Sequence, residues 1–248
     1  DPEKPESYDF AFTDAYLKTL VASGCKPFYR LGVTIENYYE IKSYRVFQPK
    51  DSAKWAKICA GIVRHYNEGW ANGFHYGIKY WEIWNEPEQE SMWLGTREQF
   101  FELYRVTANL LKKEFPDIKV GGYGSCGFYA VTRKDDLSQG AFFKSFPAWF
   151  DAFLKYVTDP ATKAPLDFYS WHLYTDDPDE AAKHGEYVAA RLTAHGLAQT
   201  ENIFDEWNLG WKPGRRDSAR QKAPGASFVA AMFCRLQRSP VGKAMDYD

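Results

Sequence analysis

The chain has 248 residues, a formal net charge of −2, 18% aromatic and 26% charged residues, which is the length of one large domain. The near-neutral charge argues against a nucleic-acid or membrane-surface partner, and no apolar run approaches the roughly 18 residues of a membrane span. Five histidines without HxH or HxxxH pairing and four cysteines without CxxC give no metal signature; Cys25, Cys59, Cys126 and Cys234 read as mostly buried thiols, with disulfide pairing left open.

In chain order, residues 1–11 are polar and proline-rich and read as a loop. Phe12, Ala15, Tyr16, Thr19 and Leu20 recur at helical spacing up to Gly24, and the KPFYRLGV run at 26–33 follows as a strand. A long helix is expected over 52–68, with Trp55, Cys59, Ile62 and Tyr66 on one face. Aromatic and β-branched residues then make a strand from Tyr80, closed by Pro87, which has no N–H for a ladder.

Thr96 and Gln99 form a capping-box pattern ahead of a helix carrying Phe100, Leu103, Tyr104, Leu110 and Leu111. A short strand at 118–122 ends in two glycines, which suggest tight backbone approach at the rim; no GxGxxG follows, so a phosphate loop is not indicated. The next helix carries Phe146, Trp149, Phe150, Phe153 and Leu154. A strand at 166–174 precedes a helix opened by Asp177 and Pro178 and stopped by Gly196. After a strand around Ile203 come a basic loop at 212–222, a helix holding Phe228, Met232 and Leu236, and a final strand at 241–247. The alternation of strand and helix is the pattern of a parallel barrel, and with no linker, repeat or low-complexity tract, residues 1–248 read as a single domain.

Two strands end in glutamates: YWEIWNEPE (80–88) delivers Glu86, and ENIFDEWN (201–208) delivers Glu206. Two carboxylates at the C-terminal ends of barrel strands suggest the apparatus of glycoside hydrolysis.

The motifs KPFYRLG, WEIWNEPE, KVGG, DFYSWHLY and FDEWN, in that order, resemble the strand-end motifs of retaining (β/α)8-barrel glycosidases. The resemblance is nearest to the β-xylosidase and α-L-iduronidase group, glycoside hydrolase family 39. It implies an α/β TIM barrel, no metal, no cofactor and a carbohydrate substrate, most plausibly a β-xyloside, with an extracytoplasmic site as the compartment that suits such a substrate. Glu86 matches the general acid/base and Glu206 the nucleophile. Asn85 is expected on a sugar 2-hydroxyl, with His172, Tyr174 and Trp207 as further sugar-binding groups. Against the family pattern, the first strand and most of the second are missing, residues 6–10 being at most a remnant, and the chain stops near the eighth. The oligomeric state stays open.

Several neighbours need separating from these roles. Glu82 shares a strand face with Glu86 and is expected to be buried, which requires a partner. Arg30, standing where the resemblance leads one to expect Glu, is the candidate. Successive strand residues face opposite ways, so Asp205 is expected to point away from Glu86. Trp84 is expected to fill the barrel, Trp211 to stack on sugar, and the 212–222 run to be a solvated loop. Other functions are compatible: an iduronidase-like activity, for which the basic loop would meet the sugar carboxylate, another β-glycosidase or endo-glycanase activity, and carbohydrate binding without turnover.

Overall fold

The computed structural model describes residues 1–32, 47–210 and 219–247. Its centre is one sheet of six parallel strands in the order β1 to β6: Phe28–Leu31, Tyr80–Ile83, Lys119–Ser125, Phe168–Thr175, Glu201–Leu209 and Lys243–Asp246. The sheet curls into a half-barrel, and the elements joining its strands are helical. In chain order the helices are α1 (Ala11–Ala22), α2 (Ser52–Glu68), α3 (Arg97–Glu114), the short α4 (Tyr129–Thr132), α5 (Ala141–Thr158), α6 (Pro178–Ala194) and α7 (Ala223–Leu236). Residues 5–7 form a 3-10 turn, not a strand remnant.

The caps explain the boundaries. Asp51 accepts from the Lys54 N–H to start α2, and Gly69, at φ 76°, ends it in the left-handed region that favours glycine. Thr96 and Gln99 complete a capping box at α3, and Asp177 with Pro178 opens α6. Helix α1 differs from its reading. Leu17 is the buried residue, while Phe12 and Tyr16 are 66% and 59% exposed. The docked face is set by Asp14, which accepts from Tyr66 Oη and contacts His65 Nε2, both at 2.9 Å.

The inner face of the sheet is layered. Lowest lie Phe28, Tyr80 and Phe168, whose rings pack together at 5.1–5.7 Å, beside Glu201, which binds Lys119, Lys243 and the Tyr80 hydroxyl. Gly121 is a close-approach glycine: a Cβ there would lie 2.1 Å from the Phe168 carbonyl oxygen and 2.7 Å from its ring. Above these come Arg30, Glu82, Ser170 and Asp205, and then the site itself. Trp84 is not in this interior. Its ring packs outward on Trp55 and Trp93 in the helical layer, and its Nε1 donates to the Met92 carbonyl at 3.0 Å. Of the cysteines, Cys59 and Cys126 are buried, Cys25 and Cys234 are exposed, and all four are free thiols.

Candidate active site

Strand β2 ends at Ile83, so Glu86 is carried by a turn and not by the strand's pleat. Trp84 and Glu86 both take positive φ, 74° and 46°, unusual for residues with side chains. Neighbouring backbone holds them there. The Trp84 N–H donates to Leu31 O at 2.7 Å, and the Glu86 N–H is shared between Tyr123 O and Gly124 O at 3.2 and 3.1 Å. The turn raises the Glu86 carboxyl above the sheet, where Gln89 Nε2 donates to its Oε2 at 2.7 Å and His172 Nδ1 lies 2.9 Å from its Oε1.

Glu206 reaches the same place from β5 through an irregularity in the ladder. Trp171 pairs with Phe204 and His172 with Glu206, leaving Asp205 without a partner on β4. On the other side, Phe204 pairs with Ala244 and Trp207 with Asp246, so β5 carries its extra residue there too. A bulge of this kind breaks strict alternation and re-aims side chains. Asp205 and Glu206 therefore both face inward, which corrects the expectation that Asp205 turns away. Arg30 Nη2 donates to Asp205 Oδ2 at 3.1 Å, and Asp205 Oδ1 lies 3.6 Å from His172 Nε2.

The Glu82 carboxyl takes an ion pair from Arg30 Nε and a hydrogen bond from the Ser170 hydroxyl. Burial pushes it up to about 8, against the pull of Arg30. Asp205 would also be raised by burial, but the His172 ring and Arg30 hold it below the usual carboxylate range. Burial disfavours charge on His172, yet Glu206 and Asp205 raise it well above the ordinary imidazole range. His172 Nδ1 faces the Glu86 and Glu206 carboxyls, and its Nε2 lies 3.3 Å from Arg30 Nη2. Tyr174, raised by burial and by the Glu206 charge, keeps its proton and donates to Glu206 Oε1 at 2.7 Å.

Above these groups opens a cavity of about 850 Å³ lined by Glu86, His172, Tyr174 and Glu206 among others. Asn85 does not line it. The residue is buried beneath Glu86, its amide nitrogen 4.0 Å from Met92 Sδ and its Oδ1 buried without a partner in the structure. Trp207 corrects the sequence reading. It is fully buried on the outer face, packing against Phe204, Phe228 and Phe233, because the bulge gives the inward positions to Asp205 and Glu206. Trp211 lies outside the described residues, as does most of the basic loop. Gln89, Arg30's reach to Asp205, and Cys126, whose sulfur takes a 3.1 Å hydrogen bond from Gln89, are site neighbours that sequence reasoning missed. Glu86, His172 and Glu206 are the one trio among the described residues whose potential ligand atoms lie within 4.8 Å of one another.

The profile described as "Glycosyl hydrolases family 39" matches residues 1–213. A "Beta-xylosidase" of Geobacillus stearothermophilus is 27% identical over 245 residues, covering 94% of this chain and 47% of its own length. A solved structure, the glucosidase from Croceicoccus marinus, superimposes with a TM-score of 0.80 at 28% identity, covering 99% of this chain and 46% of that one. A GH39 β-xylosidase from Caulobacter crescentus shares the fold at a TM-score of 0.72 and 23% identity, covering 97% of this chain and 49% of that one. The chain thus spans about half the length of these relatives.

Proposed function

The chain belongs to glycosyl hydrolase family 39, and from that premise we propose that it hydrolyses β-glycosides, β-xylosides foremost, with retention of configuration. The observation that carries this reading is the approach of Glu86 and Glu206, which bring carboxylate oxygens within 4.8 Å of each other across the cavity mouth. Retaining enzymes hold their two carboxyls about 5–5.5 Å apart, and inverting ones about 6.5–9.5 Å, to admit a water.

In this mechanism Glu206 attacks the anomeric carbon and forms a glycosyl ester, while Glu86 gives a proton to the departing oxygen. Glu86 then takes a proton from the water that opens the ester. Tyr174 orients the attacking carboxylate through its 2.7 Å hydrogen bond. His172 Nδ1, 2.9 Å from Glu86 and 3.6 Å from Glu206, bridges the two carboxyls and fixes their separation. Asn85 is buried next to Glu86 and does not line the cavity, so its proposed contact with the sugar 2-hydroxyl requires the turn at 84–86 to shift when substrate binds. The reaction calls for no cofactor.

The reading is tested with nitrophenyl β-xyloside, β-glucoside, β-galactoside, α-L-arabinoside and α-L-iduronide. The xyloside should turn over fastest. Turnover of the iduronide alone, or of none, would overturn it.

A further inference from the structure

The cavity holding Glu86 continues well past the carboxylates, and its far wall is apolar. Tyr129 of α4, Leu137, and Phe142, Phe143 and Phe146 at the start of α5 all line it. Their rings make one surface: Tyr129 lies 5.3 Å from Phe143, and Phe142 lies 5.1 Å from Phe143 and 4.8 Å from Phe146. Leu137 is 75% exposed and Phe142 53%, although both stand in the same cavity as the catalytic pair. Exposed apolar side chains grouped inside a functional cavity mark a binding surface.

The wall is tied to the site on the proton donor's side. Gln89 bridges Glu86 and Cys126, which stands three residues before Tyr129. Tyr129 is pinned to β4 beside Tyr174, its hydroxyl accepting from the Tyr174 N–H at 3.0 Å and contacting the Tyr174 carbonyl at 3.2 Å. In a retaining mechanism the departing group lies beside the acid, to which Gln89 ties the segment leading into this wall. Ser138, Asp176, Asp177 and Lys183 line other parts of the cavity. Arg133 lies over the Tyr129 ring at 4.5 Å and is spent on Glu180 through two 2.7 Å bonds, while Glu180 also takes the hydroxyls of Thr132 and Thr175.

We infer that the leaving-group subsite is built for an apolar, ring-containing aglycone and not for a second sugar, with Phe142 and Leu137 as its specificity-determining residues. This rests on the glycosidase reading above. A rigid ring seated on the wall buries its apolar surface and that of both residues, whereas a second sugar in the same place would set hydroxyls against the rings of Phe142, Phe143 and Phe146.

The test uses β-xylosides of ethanol and of 2-(2-naphthyl)ethanol, two alkanol leaving groups of similar acidity, together with xylobiose and β-xylosyl fluoride. The naphthylethyl xyloside should exceed both the ethyl xyloside and xylobiose at least tenfold in kcat/KM. The double variant Phe142→Ser/Leu137→Ser, at two exposed positions, should cut the naphthylethyl-to-ethyl ratio by roughly tenfold or more. Preference for xylobiose, or a ratio unmoved by the double variant, would overturn the inference. The fluoride, which has no aglycone, reports on the glycosidase reading separately. If it is not hydrolysed, saturable binding of 2-(2-naphthyl)ethanol decides: binding lost in the double variant supports the wall, and no binding by wild type refutes it.

Discussion

The Tyr174 hydroxyl donates a 2.7 Å hydrogen bond to Oε1 of Glu206, joining the ends of β4 and β5. A hydrogen bond to a charged acceptor contributes about 1.5–3 kcal/mol. Tyr174→Phe should therefore lower kcat/KM on an aryl β-xyloside by roughly 10- to 100-fold. A variant as fast as wild type would remove Tyr174 from the reaction.

Arg30 is the counter-ion to Glu82 and Asp205, whose side chains are only 0% and 2% exposed. Removing one partner of such a cluster leaves an uncompensated buried charge. Arg30→Met should cost about 2–4 kcal/mol in urea unfolding, less than a fully enclosed pair because 29% of the Arg30 side chain is exposed. An unchanged midpoint would mean that Glu82 and Asp205 need no cation.

Glu88 provides a pH test away from the chemistry. Ser125 Oγ donates to its Oε1 at 2.6 Å, and its Oε2 is buried without a partner in the structure. Burial pushes the carboxyl from 4.5 up to about 8. Between those values the folded protein binds a proton that the unfolded chain has released, so this group makes stability fall as pH rises and level off above about 8. The loss is on the order of 3 kcal/mol, since the side chain is partly exposed. Glu88→Gln should match wild type near pH 4 and be more stable at pH 9 by urea titration. Parallel pH profiles for the two proteins would contradict this.

How much was legible in the sequence follows from what is local. Asp51, the Thr96–Gln99 box and the Asp177–Pro178 start satisfy backbone groups within three residues, so the helix starts they set could be read directly. Pro87 likewise marked the turn that carries Glu86. The bulge at Asp205 was not readable, because it depends on how β5 pairs with β4 and β6 at once. The expectation for Trp207 failed for the same reason: once Asp205 and Glu206 both face inward, Trp207 falls on the outer face. The Arg30–Glu82 pair was foreseen from the cost of burying a carboxylate, but not Arg30's reach to Asp205.

The division of labour between the glutamates predicts mutants that differ in kind. Glu86→Ala should still be glycosylated by xylosides with good leaving groups, and azide should rescue its slow second step to give the glycosyl azide of retained configuration. Glu206→Ala should lose nearly all activity, and any azide rescue should give the inverted product. The same azide product from both variants would rule out the assignment.

The most direct measurement is the configuration of the first sugar released by the wild-type enzyme. Proton NMR of a nitrophenyl β-xyloside reaction, recorded before mutarotation, should show the β-anomer of xylose appearing first. If the α-anomer appears first, Glu206 is not a nucleophile, and the pairing of Glu86 and Glu206 within 4.8 Å does not serve double displacement.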